Sequence, residues 1–315
     1  MMDAVPIPDL VERVKQAKAN RWRAYPVKSN RASQLGHPCL RRLVYLRLHW
    51  DKQLPPSPEM FFVFDAGKTI ENEAMEELRA AGFEILEQQV ALEVKRYNIT
   101  GHLDFTISDD GKHRYPCDVK SMHPHHAEKM QTLDDLVNSG KPWLMSYPAQ
   151  ILLYMHMKRA RWGMLYIKNK ATHVPHPIWV QMDDSAKQYV KELFEKAKQI
   201  NSYVRRRKLP DPIEPNDMVC RYCEFRHICL PDTEFGKGVD LEIDVESAVA
   251  LIERYLELKE LVKEMGAARK AVEQLLGDRE RIRVGDYIIE VKRYHRKAYT
   301  VPEGEAKRMK IIPLK

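Results

Sequence analysis

Residues 99–122 read Ile-Thr-Gly101-His-Leu-Asp104-Phe-Thr-Ile-Ser-Asp-Asp-Gly111-Lys-His-Arg-Tyr-Pro-Cys117-Asp118-Val-Lys120-Ser-Met. Two β-rich runs, 99–107 and 114–119, flank the turn signal Asp109-Asp110-Gly111. Side chains two apart on a strand share a face, so Asp118 and Lys120 point the same way. A carboxylate beside an ammonium is by itself an ion pair. Asp104, on the neighbouring strand, adds a second carboxylate, and two carboxylates repel unless something cationic lies between them. Mg²⁺ or Mn²⁺ is the hard cation that suits oxygen ligands. Such an ion polarises a phosphodiester and activates water, while a lysine orients that water or holds the phosphate.

Outward from this hairpin, 8–22 and 39–50 predict short helices, and Pro55, Pro56 and Pro58 break the chain. A helix is predicted from about Met60 to Ala81, with apolar or small residues at 64, 67, 70, 74, 78 and 81. Ile85–Val94 predicts a strand before the hairpin. After it come helices over 125–138 and 143–158, strands over 161–168 and 176–182, and a helix over 184–206. That order fits an α/β core, a mixed sheet between helices. A linker follows, about 231–243. Asp244 then caps a helix running to about Leu276, closed by Gly277, with a hairpin through Gly285-Asp286. Leu251, Leu258, Met265 and Val272 form a heptad-like seam, read as a face docking on the protein's own core rather than a partner coiled coil. The expected domains are 1–231 and 232–315.

The chain has 315 residues, 44% of them apolar and 9% aromatic, with 13 Gly and 19 Pro scattered through it. Collagen-like and disordered classes are excluded. No run approaches the ~18 apolar residues of a membrane span. The N-terminus lacks a secretory pattern, which leads to the expectation of a reducing, cytoplasmic setting. Lys and Arg number 52 against 45 Asp and Glu, a formal charge of +7. Eight cations against two Glu fall in 291–315, which hints at a polyanionic partner or a solvated tail.

Glu71 lies on the helical stripe 67, 71, 74, 78 and so faces inward, where a carboxylate needs a partner, while Glu73, Glu76 and Glu77 can face solvent. Gln150 and Tyr154 are four apart and share a helix face. Cys220, Cys223 and Cys229 stand in a C-x2-C-x5-C array, with Cys39 the natural fourth thiolate. Four thiolates suit structural Zn²⁺ or a 4Fe–4S cluster, and spacing does not choose. Cys117 is read as a buried strand residue.

Glu71, Gly101–Asp104, Asp118–Lys120 and Gln150–Tyr154, in that order over about residues 33–230, resemble the PD-(D/E)XK nuclease superfamily and its RecB-like branch. The resemblance implies a restriction-endonuclease-like fold and a metal-dependent deoxyribonuclease. It makes Glu71, Asp104, Asp118 and the Val119 carbonyl ligands of Mg²⁺ or Mn²⁺, Lys120 the catalytic lysine, and Gln150 and Tyr154 site or DNA-contact residues. Branch members usually carry His where Glu71 stands. One Cys before the core and three after it look like the iron–sulfur RecB-like nucleases, among them AddB-type helicase–nucleases and CRISPR spacer-adaptation nucleases. The segment Cys39-Leu-Arg41-Arg42-Leu-Val-Tyr45 looks like their first-Cys segment. This favours a 4Fe–4S staple on Cys39, Cys220, Cys223 and Cys229 over zinc.

Arg41, Arg42 and Arg205-Arg206-Arg207 are candidate DNA phosphate contacts, although the arginines at 205–207 equally suit a solvated helix end. Tyr294, His295 and Tyr299 could stack on bases. The helix-plus-hairpin extension looks like that of YqaJ-type viral recombination exonucleases, which would place a viral protein in its host's cytoplasm. The expected function is an exonuclease in recombination or repair, with DNA and a possible recombination or helicase partner. The alternatives are a CRISPR spacer-processing nuclease, a non-catalytic iron–sulfur DNA-binding subunit and an iron–sulfur redox sensor.

Overall fold

The computed structural model describes residues 9–233 and 246–291. The expected cap Asp244 and the basic tail with Tyr294, His295 and Tyr299 lie outside the described residues. The chain divides into two compact units near residue 241.

In the first unit the elements run α1 (Leu10–Ala19), β1 (Asn30–Arg31), α2 (Ala32–Leu35), α3 (Leu40–Leu48), α4 (Pro58–Ala80), β2 (Glu84–Val94), β3 (Ile99–Ser108) and β4 (Tyr115–Met122). They continue with α5 (Pro124–Lys129), α6 (Leu133–Val137), α7 (Pro142–Lys158), β5 (Trp162–Asn169), β6 (Pro175–Gln181), α8 (Asp184–Arg206), α9 (Asp217–Cys220) and α10 (Arg226–Cys229). The sheet is mixed, in the order β1-β3-β4-β5-β6 with β2 also on β3. β4 and β5 are parallel and joined through α5–α7, and the other long pairings are antiparallel. This is the mixed α/β core flanked by helices that the sequence predicts.

The pairing of β3 matters most. On one edge β2 accompanies it throughout, from Glu84↔Ser108 to Val94↔Ile99. On the other, β4 pairs only at Phe105↔Cys117, Thr106↔Pro116 and Ile107↔Tyr115. β1 takes up that edge again at Ile99 and Thr100. Residues 101–104 are therefore left without a ladder partner on that edge, and β3 and β4 diverge as a fork.

Side-chain alternation along β5 divides the core. Leu165 and Ile167 pack with α7 and α8, whereas Met164 and Tyr166 pack beneath α4. The α8 helix starts at Asp183, whose carboxylate accepts from the Ala186 N–H at 2.8 Å. Its stripe Ala186, Val190, Leu193, Ala197 and Ile200 is buried as the period predicts. Each large aliphatic buried this way contributes about 2 kcal/mol.

Two expectations need correction. The predicted helix 125–138 is two helices, because Thr132 and Asp135 form a capping box that starts α6 afresh. In α4 the inward stripe begins only at Ile70, with Ala74, Met75 and Leu78. Phe64 is exposed and nothing approaches Gly67. The first half of α4 instead meets α1 through Lys15–Glu59 at 2.6 Å and Lys18–Asp65.

The second unit holds α11 (Glu246–Leu276) and the hairpin β7 (Arg281–Val284) and β8 (Tyr287–Glu290), turning through Gly285 at φ +60°. Leu251, Leu258, Met265 and Val272 on α11 are exposed. No helix of the described residues is long and apolar enough to cross a membrane.

Two glycines make a matched test. A Cβ on Gly36 would stand 2.6 Å from the Met145 carbonyl and 2.8 Å from Ser146 Cα, both backbone. Gly36→Ala should cost about 2 kcal/mol. Gly67→Ala, mid-helix in open space, should gain about 0.5–1 kcal/mol. Urea denaturation followed by circular dichroism checks both, and equal effects would contradict the packing of α2 on α7.

Candidate active site

The fork sets the site. Where β4 leaves β3, the Val119 N–H donates to Asp104 Oδ2 at 2.8 Å, so a side chain replaces the missing ladder bond. Asp118, fully buried, comes beside Asp104. Lys120, two residues along the same strand, places Nζ 2.5 Å from Asp118 Oδ2 and donates to the Val119 carbonyl at 3.2 Å. The ammonium is the cation beside this buried oxygen.

α7 closes the fork. Gln150 Nε2 donates to Asp118 Oδ1 at 2.9 Å and to Tyr154 Oη at 3.1 Å. A Cβ on Gly101 would stand 2.5 Å from Tyr154 Cε1 and 2.8 Å from its Oη. The unpaired stretch 101–104 thus needs a glycine because the Tyr154 ring fills the space beside it. The Tyr147 ring, three residues before Gln150, lies 5.4 Å from Lys120 Nζ.

Glu71 comes from α4 on the far side. Its Oε1 accepts from the Gln89 amide. Gln89 falls opposite Asp104 in the β2–β3 register and has φ +49°. That left-handed conformation within a strand costs a non-glycine residue about 1 kcal/mol, and such strain concentrates at functional sites. Gln89 was not singled out from sequence, where Glu-Gln-Gln-Val reads as ordinary strand. Lys168, fully buried, was also missed. It pairs with Glu77 and, at 3.2 Å, with Glu73, and Tyr166 Oη donates to Glu77 at 2.9 Å. Glu73 and Glu77, expected to face solvent, stay about a third exposed and also pair with this buried cation.

The charges are unbalanced. Burial pushes Asp118 up to about 7, with Asp104 adding to it and Lys120 opposing. Burial raises Asp104, against the pull of Lys120. Burial raises Glu71 too, and Asp104 adds to it. Burial alone would lower Lys120, but Asp118 and Asp104 outweigh it and keep the ammonium charged. Three carboxylates thus face one cation. As placed, no three His, Cys, Asp or Glu side chains among the described residues form a metal-holding group. The donor chemistry nonetheless fits a hard divalent ion, since the Lys120 ammonium already sits between Asp118 Oδ2 and the Val119 carbonyl, where such a cation would be held.

The cysteines gather elsewhere. Cys39, Cys220, Cys223 and Cys229 line one small cavity of about 20 Å³ with Arg42, Tyr45 and Ile213. Burial raises the Cys39 thiol and pushes Cys223 up to about 12. Around them Arg42 makes a bidentate pair with Glu224, at 2.9 and 2.8 Å. Tyr45 stacks on the fully buried Phe225 at 5.1 Å. Arg41 donates to the Pro210 carbonyl and to Tyr45 Oη. The expected phosphate contacts Arg41 and Arg42 are therefore engaged within the fold, closing residues 39–45 on 210–229. Arg205, Arg206 and Arg207 are exposed at the end of α8, where Arg206 lies over Tyr203. Cys117 is fully buried in β4.

A mixed sheet that forks at an acidic pair and a lysine, flanked by helices on both faces, is the restriction-endonuclease-like architecture. Residues 9–230 match the PD-(D/E)XK nuclease superfamily, and the chain belongs to it. No curated protein matches it. Among solved structures, "Crystal structure of SSO0001" is 17% identical with a TM-score of 0.43, and the match covers 71% of this chain and 98% of that one. An alkaline exonuclease (LHK-Exo) from Laribacter hongkongensis is 10% identical with a TM-score of 0.41, and the match covers 62% of this chain and 95% of that one.

The raised acids predict a pH-dependent response to cations. In the metal-free protein, protonated Asp118 is favoured by folding, so its contribution to stability is lost as pH rises from about 4 through about 7. A divalent cation must displace that proton. Millimolar Mn²⁺ should therefore raise Tm little near pH ~5 and by several degrees near pH ~8. In Asp104→Asn the rise should vanish at both. A rise independent of pH, or retained in Asp104→Asn, would contradict the site.

Proposed function

We propose that this protein is a Mg²⁺- or Mn²⁺-dependent DNA nuclease, and that it acts as an exonuclease in recombination or repair. The observation that carries the reading is the convergence of Asp104, Asp118, Lys120, Gln150 and Tyr154 on one strand fork, with Glu71 facing it from α4. Asp104, Asp118 and the Val119 carbonyl, with Glu71, would hold the cation. When bound, the ion supplies positive charge to the scissile phosphate and eases deprotonation of a neighbouring water. The protein's own groups do the rest. Asp104 stays oriented by the Val119 N–H, and Asp118 by the Gln150 amide. Lys120, freed from Asp118, turns its ammonium to the phosphate or to the attacking water. Tyr154 keeps Gln150 in place and seals the fork from α7. In this reading residues 1–231 carry the chemistry, 232–315 form the extension, and the exposed Arg205–Arg207 meet DNA phosphates.

Cleavage of end-labelled linear single- and double-stranded DNA, beside a closed circle, tests this. Wild type should destroy the linear forms with Mg²⁺ or Mn²⁺, spare the circle, and stop in EDTA. Lys120→Ala should lose at least ~10³-fold in rate while still binding DNA. Equal cutting by both proteins would overturn the assignment of Lys120, and cutting of the circle would overturn exonuclease action.

For the four cysteines we propose a 4Fe–4S cluster whose role is structural. The support is their convergence on one cavity between segments about 180 residues apart in sequence, already joined by Arg42–Glu224. Cross-linking such distant segments restricts the unfolded chain. Protein purified without oxygen should be brown, and Cys223→Ser should lose the colour and several degrees of Tm. A colourless wild type carrying zinc would overturn the iron assignment.

A further inference from the structure

A cavity of about 520 Å³ opens where β4 and β5 begin and α7 ends. It lies away from the fork. Arg114 is four residues from Asp118 on the β4 side, about 13 Å at strand rise. Arg159 is nine residues beyond Gln150, about 13 Å along α7. The walls are basic, with Lys112 and Arg114 from the β3–β4 hairpin and Arg159 and Arg161 from the α7–β5 turn.

Their charge is unspent. The Asp110 carboxylate accepts from the backbone N–H groups of Lys112 and His113 and pairs with the His113 ring. Glu87 pairs with Lys158 at 2.6 Å and feels Arg114 only more weakly. Among the described residues, Lys112, Arg114, Arg159 and Arg161 make no ion pair. The α7 macrodipole accounts for cations in its last turn, but not for the two that the hairpin delivers. Arg159 also occupies the left-handed cap of α7, φ +54°, where glycine is the usual residue. A concave site lined by one sign of charge concentrates counter-ions. Four cations spread over 520 Å³ exceed the need of one phosphate ion. Trp162, 39% exposed at the same wall, offers a ring to an unpaired base.

We propose that this cavity binds consecutive phosphates of a single-stranded nucleic acid, apart from the catalytic acids, with Trp162 stacking on a base. The proposal rests on the nuclease reading only for the identity of the polyanion.

Fluorescence anisotropy of the full chain in EDTA tests it, with labelled oligothymidylate, the matching duplex, and inorganic phosphate as competitor. Arg114→Glu/Arg161→Glu should weaken single-strand binding about tenfold and flatten the slope of log K against log salt by about one. Trp162→Ala should weaken single-strand binding more than duplex binding. The Mn²⁺-induced rise in Tm should persist in both variants, which shows that fold and acidic fork are intact. If the double variant does not fold, Lys112→Gln/Arg161→Gln replaces it and should weaken binding in the same direction. Unchanged affinity and salt slope would overturn the proposal. So would complete displacement of the oligonucleotide by millimolar phosphate, which would mark a site for single ions. Because binding is read without cleavage, a protein that binds strands through this cavity but cuts nothing would sink the nuclease reading alone.

Discussion

Everything at the site depends on β4 leaving β3 after the Phe105↔Cys117 pair. A strand pair that continued would satisfy the Val119 N–H in the ladder and set Asp104 and Asp118 side by side on one sheet face. The divergence instead obliges Asp104 to accept from Val119, strips Asp118 of solvent, and opens a slot that the Tyr154 ring and Gln150 fill from α7. Burying two carboxylates this way is unfavourable, and the raised acids are the electrostatic record of it. Lys120 offsets part of the cost. The remaining negative charge is what the proposed cation would neutralise.

The rest of the first unit holds that fork open. β1 re-pairs with β3 at Ile99 and Thr100, so the gap spans residues 101–104 and no more. α4 brings Glu71 across from the other side, and the strained Gln89 fastens it there. Lys168 links α4 to β5 through Glu73 and Glu77, so the helix that carries Glu71 is held by a half-buried ion-pair cluster as well as by apolar packing. Farther out, the Arg42–Glu224 pair and the Tyr45–Phe225 stack bring the two ends of the unit together around the cysteines.

Much of this was legible in the sequence. The strands from Glu84 to Gln181 follow from β-branched runs and one turn signal, and α8 from its 3.6 period. The pairing of Asp118 with Lys120 follows from strand periodicity alone. The fork does not, because register between strands is a tertiary outcome that a single strand's pattern does not encode. Gln89 escaped for the same reason, since its role comes from lying opposite Asp104. Arg41 and Arg42 read as surface cations until the fold supplied Pro210 and Glu224, residues about 170 to 180 positions away. Thr132 carried its signal openly, a capping-box Thr-x-x-Asp inside what looked like one helix.

The most direct test of the central claim is a crystal structure of the full chain grown with Mn²⁺, with anomalous scattering locating the metal. The account predicts a peak between Asp104, Asp118 and the Val119 carbonyl, with Glu71 turned towards it and Lys120 Nζ displaced from Asp118. An intact Lys120–Asp118 contact, with manganese absent from the fork, would contradict it.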